Sequence, residues 1–295
     1  MKSVNIRMMS ALAAFMLAVT PMSVSAAEGD VIVTLGEDLS EQQRNSLLEE
    51  MQVDDSAEII TVSNEEEYEY LGEYLGDEIG SNALSSSKIT IAPEGEGISV
   101  DTNNITKVSE GMYANALVTA GVEDAEVYVT APTAVSGTAG LTGLIKAYET
   151  QTGTNISEEQ KQVANEEMVK TSELGESIGT EEATELITRI KEEISNQNIE
   201  TEEDLRNLIE QVANDLGVSL TEEEMNGLVS LFERMQNLNI DWDQVQSQIS
   251  DIRNNLDEFL NREDTQSFIS SFLDFINQLI DSLSGWFGGN EENAS

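Results

Sequence analysis

Strand patterns are confined to the first half of this chain, and this uneven distribution constrains its fold more than any other feature. Five short runs rich in β-branched residues lie between residues 31 and 130, and amphipathic stretches separate most of them. No strand pattern follows residue 155, where helix starts recur instead. The sequence therefore predicts an α+β fold: an N-terminal mixed sheet with packed helices, followed by an all-helical C-terminal region.

The bounds of the predicted elements in the first half follow from these patterns. The strands are VIVTL (31–35), EIITV (58–62), KITIA (88–92), GISV (97–100) and EVYVT (126–130). The helices are predicted at 40–52, 64–79, 108–121 and 137–150. Because PEGEG (93–97) is rich in turn formers and separates the third strand from the fourth, it predicts a hairpin turn.

Helix starts in the second half share one motif, a Ser or Thr followed three positions later by an acidic or amide residue. Ser157 with Gln160 and Thr221 with Glu224 fit the capping box, as does Ser40 with Gln43, and Thr201 with Asp204 is a close variant. Together with apolar spacings of three and four, these starts predict helices at 158–174, 180–195, 201–216, 221–238, 241–260 and 264–284.

The predicted organisation has four parts, and the first is a signal peptide at residues 1–27. Lys2 and Arg7 precede the apolar run MMSALAAFMLAV, and SVSAA supplies small residues for cleavage. An α+β domain follows at 28–152, then a helical region at 153–285, built as a bundle or as extended helical hairpins, and a disordered tail at 286–295. No apolar run is long enough to span a membrane. We therefore expect an extracellular protein, secreted or cell-wall associated, with no transmembrane segment.

The chain contains neither cysteine nor histidine. This excludes disulfides, zinc sites built from His and Cys, Cys–His nucleophiles and Ser–His–Asp triads. An enzyme built on this chain would have to use carboxylates, Lys, Tyr, Ser or Thr, or a hard metal ion.

Charge sets a second limit on function. The formal net charge is −43, and loss of the signal peptide with Lys2 and Arg7 but no acidic residue makes it −45. Such a field repels nucleic acid, so we expect no nucleic-acid partner. Many acidic residues lie in the first turns of predicted helices, where they complement the helix dipole, so we assign no metal ligands and no cofactor. A solvated acidic surface is the favoured interpretation, and binding of calcium or of a basic partner is the alternative.

The segment VSGTAGLTG (135–143) joins the last predicted strand to a helix and is the candidate binding site. Gly137, Gly140 and Gly143 lie three apart, which is not the spacing of a phosphate loop. That spacing places them in one row along a helix, where missing side chains allow close packing, and we favour this role. The alternative is a ligand or anion held at the helix start. The candidate ligand-binding residues are Thr130, Ser136, Gly137, Thr138 and Lys146, and no residue is assigned a catalytic role.

The same segment carries a family resemblance. MYANALVTAGVEDAEVYVTAPTAVSGTAGLTGLIKAYE (112–149), followed by KQVANEEMVKTSELGESIG (161–179), resembles the secreted YpuA-like family of Gram-positive bacteria. VTLGEDLSEQQ, EEEYEYLG and SSSKITI also match, so the resemblance spans roughly residues 28 to 195. Thr133 stands where an aromatic residue is common in the family, and Gly140 where alanine is. The resemblance implies a secreted envelope protein of unknown function and no catalytic residues.

The function expected from these observations is that of a secreted cell-envelope protein, a non-catalytic binding or structural module. Its partner would be a cell-wall or envelope protein, or a second copy of the chain bound through the C-terminal helices. Two alternatives stay open: an extracellular hydrolase, carboxylate-based or metal-assisted, sited at 136–143, and a calcium-dependent wall-associated module.

Overall fold

The first half of the protein folds around a five-stranded sheet in the structure, a computed structural model that describes residues 27–54, 57–197, 199–238 and 240–249. The strands are β1 (Val31–Gly36), β2 (Glu58–Val62), β3 (Ser86–Ile91), β4 (Ile98–Ile105) and β5 (Ala125–Val135). All five predicted strands are present, and helices follow them along the chain. The predicted α+β fold class is confirmed.

Strand β5 lies between β3 and β4, which gives the order β2-β1-β3-β5-β4. The outer pairs β1–β2 and β4–β5 are parallel, whereas β3 runs antiparallel to both β1 and β5. The predicted hairpin at 93–97 is therefore wrong, because β3 and β4 are not neighbours. Asp124 explains the difference: its Oδ1 accepts the N–H groups of Gly95 and Gly97 at 3.0 and 2.7 Å, which fastens the turn to the start of β5.

Helices occupy the predicted places with small shifts at their ends. They are α1 (Glu41–Glu50), α2 (Asn64–Leu75), α3 (Glu110–Thr119), α4 (Thr138–Thr152), α5 (Glu158–Ile178), α6 (Thr180–Asn196), α7 (Glu202–Leu216) and α8 (Glu222–Asn237). A 3₁₀ turn at Gly76–Ile79 follows α2, and residues 242–249 are helical. The predictions for residues 1–26, 250–260, 264–284 and 286–295 lie outside the described residues.

The predicted caps explain where the helices begin. Complete capping boxes form at Ser40, Thr201 and Thr221, as predicted. At Ser157 the hydroxyl accepts the Gln160 N–H at 3.2 Å, but the reciprocal bond is missing. The Gln160 amide donates instead to the Thr119 carbonyl at 3.0 Å, so the predicted box at Ser157 is wrong in its second half.

The two faces of the sheet are covered to different extents. Helices α2 to α5 pack on one face, where Ile32, Ile89 and Val129 join a large apolar core. Among the described residues, α1 is the helix that packs on the other face, where Leu47 and Met51 are buried with residues of β1 and Tyr128 of β5 packs against them. The described residues leave the rest of the β4 and β5 side of that face uncovered, and we refer to it as the open face.

A second apolar core lies among the helices of the C-terminal half. It joins α6, α7 and α8 through side chains such as Leu186, Ile209 and Phe232. Helix α5 contributes to both cores, with Met168 in the first and Leu174 in the second. The two halves of the chain are thus connected through a shared helix.

Both edge strands of the sheet have a backbone group engaged by a helix side chain. At β2 the Lys146 ammonium donates to the Thr61 carbonyl at 2.8 Å. At β4 the Glu110 carboxylate accepts the Thr102 N–H at 3.3 Å. Unpaired backbone groups on an edge strand invite pairing with another chain, so these two side chains protect the sheet from such pairing.

Candidate functional site

The turn predicted as a binding site joins the end of β5 to the start of α4. Gly137, which precedes α4, has a left-handed backbone with φ 98°, and no side chain caps this helix. The hydroxyl oxygens of Ser136 and Thr138 lie 3.3 Å apart. The Ser136 carbonyl accepts the N–H groups of Lys107 and Val108 at 3.2 and 3.3 Å. The structure thus brings Ser136, Gly137 and Thr138 together in a turn attached to the segment before α3.

The glycine row that starts at this turn is closely packed. A Cβ atom added at Gly140 would lie 2.8 Å from both Tyr113 Oη and Val129 Cγ1. One added at Gly143 would lie 2.7 Å from Thr34 Oγ1. Real Cβ atoms essentially never approach other atoms this closely. The prediction that these glycines allow close packing is confirmed.

Lys146, a further predicted site residue, contacts residues of β2 and α2 and not the turn. Its ammonium lies 2.5 Å from a Glu66 carboxylate oxygen and 2.8 Å from the Thr61 carbonyl oxygen. It is also eight residues beyond Thr138, about 12 Å along a helix that rises 1.5 Å per residue. The structure therefore does not bring Lys146 to the turn, and ligand binding at the turn stays a prediction that concerns Ser136, Gly137 and Thr138.

Thr130 belongs to a polar cluster on the open face, which sequence reasoning did not find. The cluster is centred on Glu50, the last residue of α1. Three side chains donate to the same carboxylate oxygen, Oε1: Asn103 at 2.9 Å, Tyr128 at 2.8 Å and Thr130 at 2.7 Å. Two strands and one helix thus fix the orientation of a single carboxylate.

The hydrogen bonds also determine the charge of Glu50. Partial burial by itself would raise the pKa of this carboxyl group, but the donors Asn103, Thr130 and Tyr128 together outweigh burial and lower the pKa below its usual value. Glu50 is therefore ionised at neutral pH. Its second oxygen, Oε2, forms no hydrogen bond or ion pair with a described residue.

Other groups on the open face are also acidic. Strand register places Asp101 beside Tyr128, and Glu126 lies two residues before Tyr128 on the same face of β5. Lys88 is the neighbour of Tyr128 on the opposite side, in β3. Its ammonium donates to the Met51 carbonyl at 2.9 Å, under the end of α1. The open face therefore carries the exposed carboxylates of Asp101 and Glu126 on the strand positions next to Tyr128, which itself packs against the apolar cluster under α1.

A second polar cluster is fully enclosed among the helices. Lys191 on α6 and Glu167 on α5 form an ion pair of 2.6 Å, with both side chains 1% exposed. The Lys191 ammonium also donates to the Asn115 carbonyl at 2.7 Å, and the Thr119 hydroxyl donates to Glu167 at 2.5 Å. Burial lowers the pKa of Lys191, and the Glu167 carboxylate opposes this effect. Because no solvent reaches this cluster, its role is to hold α3, α5 and α6 in one register.

A third set of polar groups connects the two halves of the protein. Arg234 on α8 forms an ion pair with Glu166 on α5 and donates to the hydroxyl of Tyr74 on α2 at 3.0 Å. The Tyr74 hydroxyl in turn donates to Glu166 at 3.3 Å. This contact lies between the sheet domain and the last complete helix, so it also serves to fix their arrangement.

Glu67 on α2 is a buried carboxyl group that forms no ion pair with a described basic residue. It is 3% exposed and accepts a hydrogen bond from the Asn64 amide at 3.0 Å. Burial, with a smaller contribution from the negative charge of Asp38, raises the pKa of Glu67 to about 7. Glu67 therefore changes its charge near neutral pH, unlike Glu50.

The described residues contain no group of three or more acidic side chains that could hold a metal ion. Among the described helices, none combines the length and the apolar composition that crossing a membrane requires. The chemistry in this part of the chain is that of hydrogen-bonded carboxylates and closely packed glycines.

These features define a class of protein: a mixed-sheet domain that shares one helix with a helical bundle, with an open polar face on the sheet. More particularly, the chain belongs to the family described as "Protein of unknown function (DUF1002)", which matches residues 35–252. The chain is also 50% identical over 278 residues to "Uncharacterized protein YpuA" of Bacillus subtilis (strain 168). This similarity covers 93% of the chain and 96% of that relative. The YpuA-like resemblance is thereby confirmed, and no solved structure matches the chain.

Proposed function

We propose that this chain is a secreted, non-catalytic protein of the cell envelope, and that it binds a partner on the open face of its sheet. The signal-peptide pattern of residues 1–27 supports export. The acidic net charge of the chain is consistent with a partner other than nucleic acid, because like charges repel.

The observation that carries the binding function is the arrangement around Glu50. Three donors from two strands converge on one oxygen of this carboxylate, and no residue in the described part of the chain bonds to the other oxygen. A general acid or base works best with a pKa near the working pH, whereas the pKa of Glu50 is lowered. A fixed carboxylate that stays charged is suited to binding and poorly suited to proton transfer.

The glycine row argues against the hydrolase alternative at 136–143. The space beside Gly140 is filled by Tyr113 and Val129, and the space beside Gly143 by Thr34. A substrate cleft along this row would have to displace the core of the sheet domain. Self-association through residues 264–284 stays a prediction, since these residues lie outside the described part of the chain.

Export is tested by N-terminal sequencing of the protein recovered from culture supernatant and from a wall extract. We expect a mature N-terminus at Ala27 or Glu28. Recovery of the full-length chain from the cytoplasm alone would refute the secreted function.

Binding is tested with purified residues 28–295 and a washed envelope fraction. Asn103→Arg places a long cationic side chain on the open face, and we expect it to reduce binding at least tenfold. Asn214→Arg is the matched control, because it makes the same change of charge at an exposed position of α7. Equal binding by both variants would show that the open face is not the binding surface.

A further inference from the structure

We propose that a cavity beside the end of α3 binds a small neutral molecule that has a ring-sized apolar body and one hydrogen-bond donor. The cavity has a volume of about 150 Å³ and is partly enclosed between the end of α3, the start of α5 and the segment 240–248. It lies at the border of the first apolar core, away from the open face. The inference therefore goes beyond the proposed function and does not depend on it.

The observation that carries the inference is a buried acceptor without a partner. Gln248 lines the cavity and is 6% exposed, and its amide oxygen Oε1 accepts no hydrogen bond from the described part of the chain. Native proteins rarely leave a buried polar atom in this condition, because it has lost its hydration without compensation. Gln160, on the same wall, differs in this respect: its amide donates to the Thr119 carbonyl at 3.0 Å. A donor on a bound molecule would supply the partner that Gln248 lacks.

The rest of the wall requires that most of the ligand be apolar. Val118, Val122 and Val245 line the cavity with buried side chains, and Ile240 lines it with a half-buried one. Water molecules would fill this space poorly, since each needs about two to four polar partners. A cavity of about 150 Å³ accommodates one benzene molecule. One six-membered ring with a single donor group therefore fits both the volume and the chemistry of the wall.

The donor on the ligand is neutral because the cavity offers no counter-ion to a buried cation. Among the described residues that line it, Asp241 is the charged one, and it is exposed. Its Oδ1 already accepts the N–H groups of Asp243 and Gln244, at 3.1 and 3.2 Å. An ammonium group against the Gln248 amide oxygen would lose its hydration without an ion-pair partner, which is costly. A hydroxyl or an uncharged N–H group makes the same hydrogen bond without that loss.

The experiment is a titration of residues 28–295, labelled with ¹³C in the methyl groups of valine and isoleucine, followed by NMR. The ligands are phenol, fluorobenzene and cyclohexylamine: a ring with a donor, a ring of nearly the same shape without a donor, and a ring with a cation at neutral pH. We expect phenol to give saturable shifts centred on Val118, Val122, Ile240 and Val245. A Kd weaker than about 10 mM for phenol would refute the site. Tighter binding of cyclohexylamine than of phenol would refute a neutral ligand.

The substitution Gln248→Leu tests the hydrogen bond. We expect it to weaken phenol binding about tenfold, because the hydroxyl would be buried without an acceptor, and to change fluorobenzene binding by less than about twofold. Gln248→Met, which is unbranched like glutamine, should have the same effects, so the test does not depend on one variant. Gln162→Leu is the matched control, since it makes the same change at an exposed position of α5. If Gln248→Leu weakens phenol binding no more than Gln162→Leu does, Gln248 is not the acceptor and the proposal fails.

The source of the ring is tested with N-acetyltyrosinamide, which carries the phenol ring of a tyrosine on a peptide backbone. We expect it to bind more weakly than phenol, because the cavity has room for about one ring. Tighter binding of N-acetyltyrosinamide at the same methyl groups would overturn the assignment to a free small molecule, and would indicate a tyrosine side chain of a protein partner instead.

Discussion

Gly140→Ala tests whether the glycine row is a packing device. The added methyl group would lie 2.8 Å from Tyr113 Oη and from Val129 Cγ1, whereas ordinary van der Waals contact begins at 3.4 Å. Neither neighbour is free to yield. Tyr113 is fully buried and its hydroxyl donates to the Gly137 carbonyl, and Val129 is held within the central part of the sheet.

The expected change in stability follows from two opposing effects. Alanine in a helix interior is more favourable than glycine by about 1 kcal/mol. Overpacking of a rigid core costs about 1–3 kcal/mol. We therefore expect Gly140→Ala to be neutral to destabilising, by up to about 2 kcal/mol, and Gly140→Leu to be more destabilising because it adds three further carbon atoms at the same place.

The matched control is Gly72→Ala on α2, where the added Cβ atom would meet Tyr68 at an ordinary 3.4 Å. This variant should gain about 0.5–1 kcal/mol in the free energy of unfolding. Urea unfolding followed by circular dichroism measures both variants. If Gly140→Ala proves as stable as Gly72→Ala, the row is not closely packed and its glycines need another explanation.

Two further predictions concern the buried ionisable groups. Because the pKa of Glu67 is raised to about 7 in the folded protein, its carboxyl group stabilises the fold fully below about pH 4.5 and loses that contribution as the pH rises through about 7. The unmodified chain should therefore lose at most about 3 kcal/mol of unfolding free energy through this group between pH 5 and pH 8. Glu67→Gln should remove this loss and be more stable than the unmodified chain at pH 8, whereas Glu65→Gln, at an exposed position, should keep the pH dependence of the unmodified chain in the same urea titrations. Lys191→Ala leaves the Glu167 carboxylate buried without its partner and should lower the free energy of unfolding by about 3–5 kcal/mol. The double variant Lys191→Met with Glu167→Gln should lose less stability, because it leaves no buried charge unpaired. Equal losses of stability in calorimetric melting would show that the ion pair is not what holds these helices.

Local sequence patterns predicted the elements because the forces that create them are local. The β-branched runs became strands, and Ser40, Thr201 and Thr221 became helix caps, because each depends on residues within one turn or one strand. The sheet order was not predictable in the same way. The turn at 93–97 has the composition of a hairpin, but its direction is decided by Asp124, which lies 27 residues beyond Gly97.

The candidate site was even harder to predict from the sequence than the sheet order. Glu50 is one of 57 acidic residues, and nothing near it in the sequence distinguishes it. Its three donors lie 53, 78 and 80 residues further along the chain. Thr130 is a predicted site residue, yet its hydroxyl donates to Glu50 on the open face and not to the glycine turn. The glycine row was predictable because its spacing is a property of one helix.

The position of β5 has a consequence for how the chain completes its sheet. Strands β2, β1 and β3 pair with one another, so they can assemble as soon as residue 91 is available. Strand β4 pairs with β5 alone, and the edge of β3 that faces away from β1 also pairs with β5. A chain that is made available N-terminus first, as in synthesis or in the proposed export, would therefore expose two strand edges until residue 135 is available. In that interval β4 has no partner within its own chain, and β5 is the segment whose arrival ends the exposure.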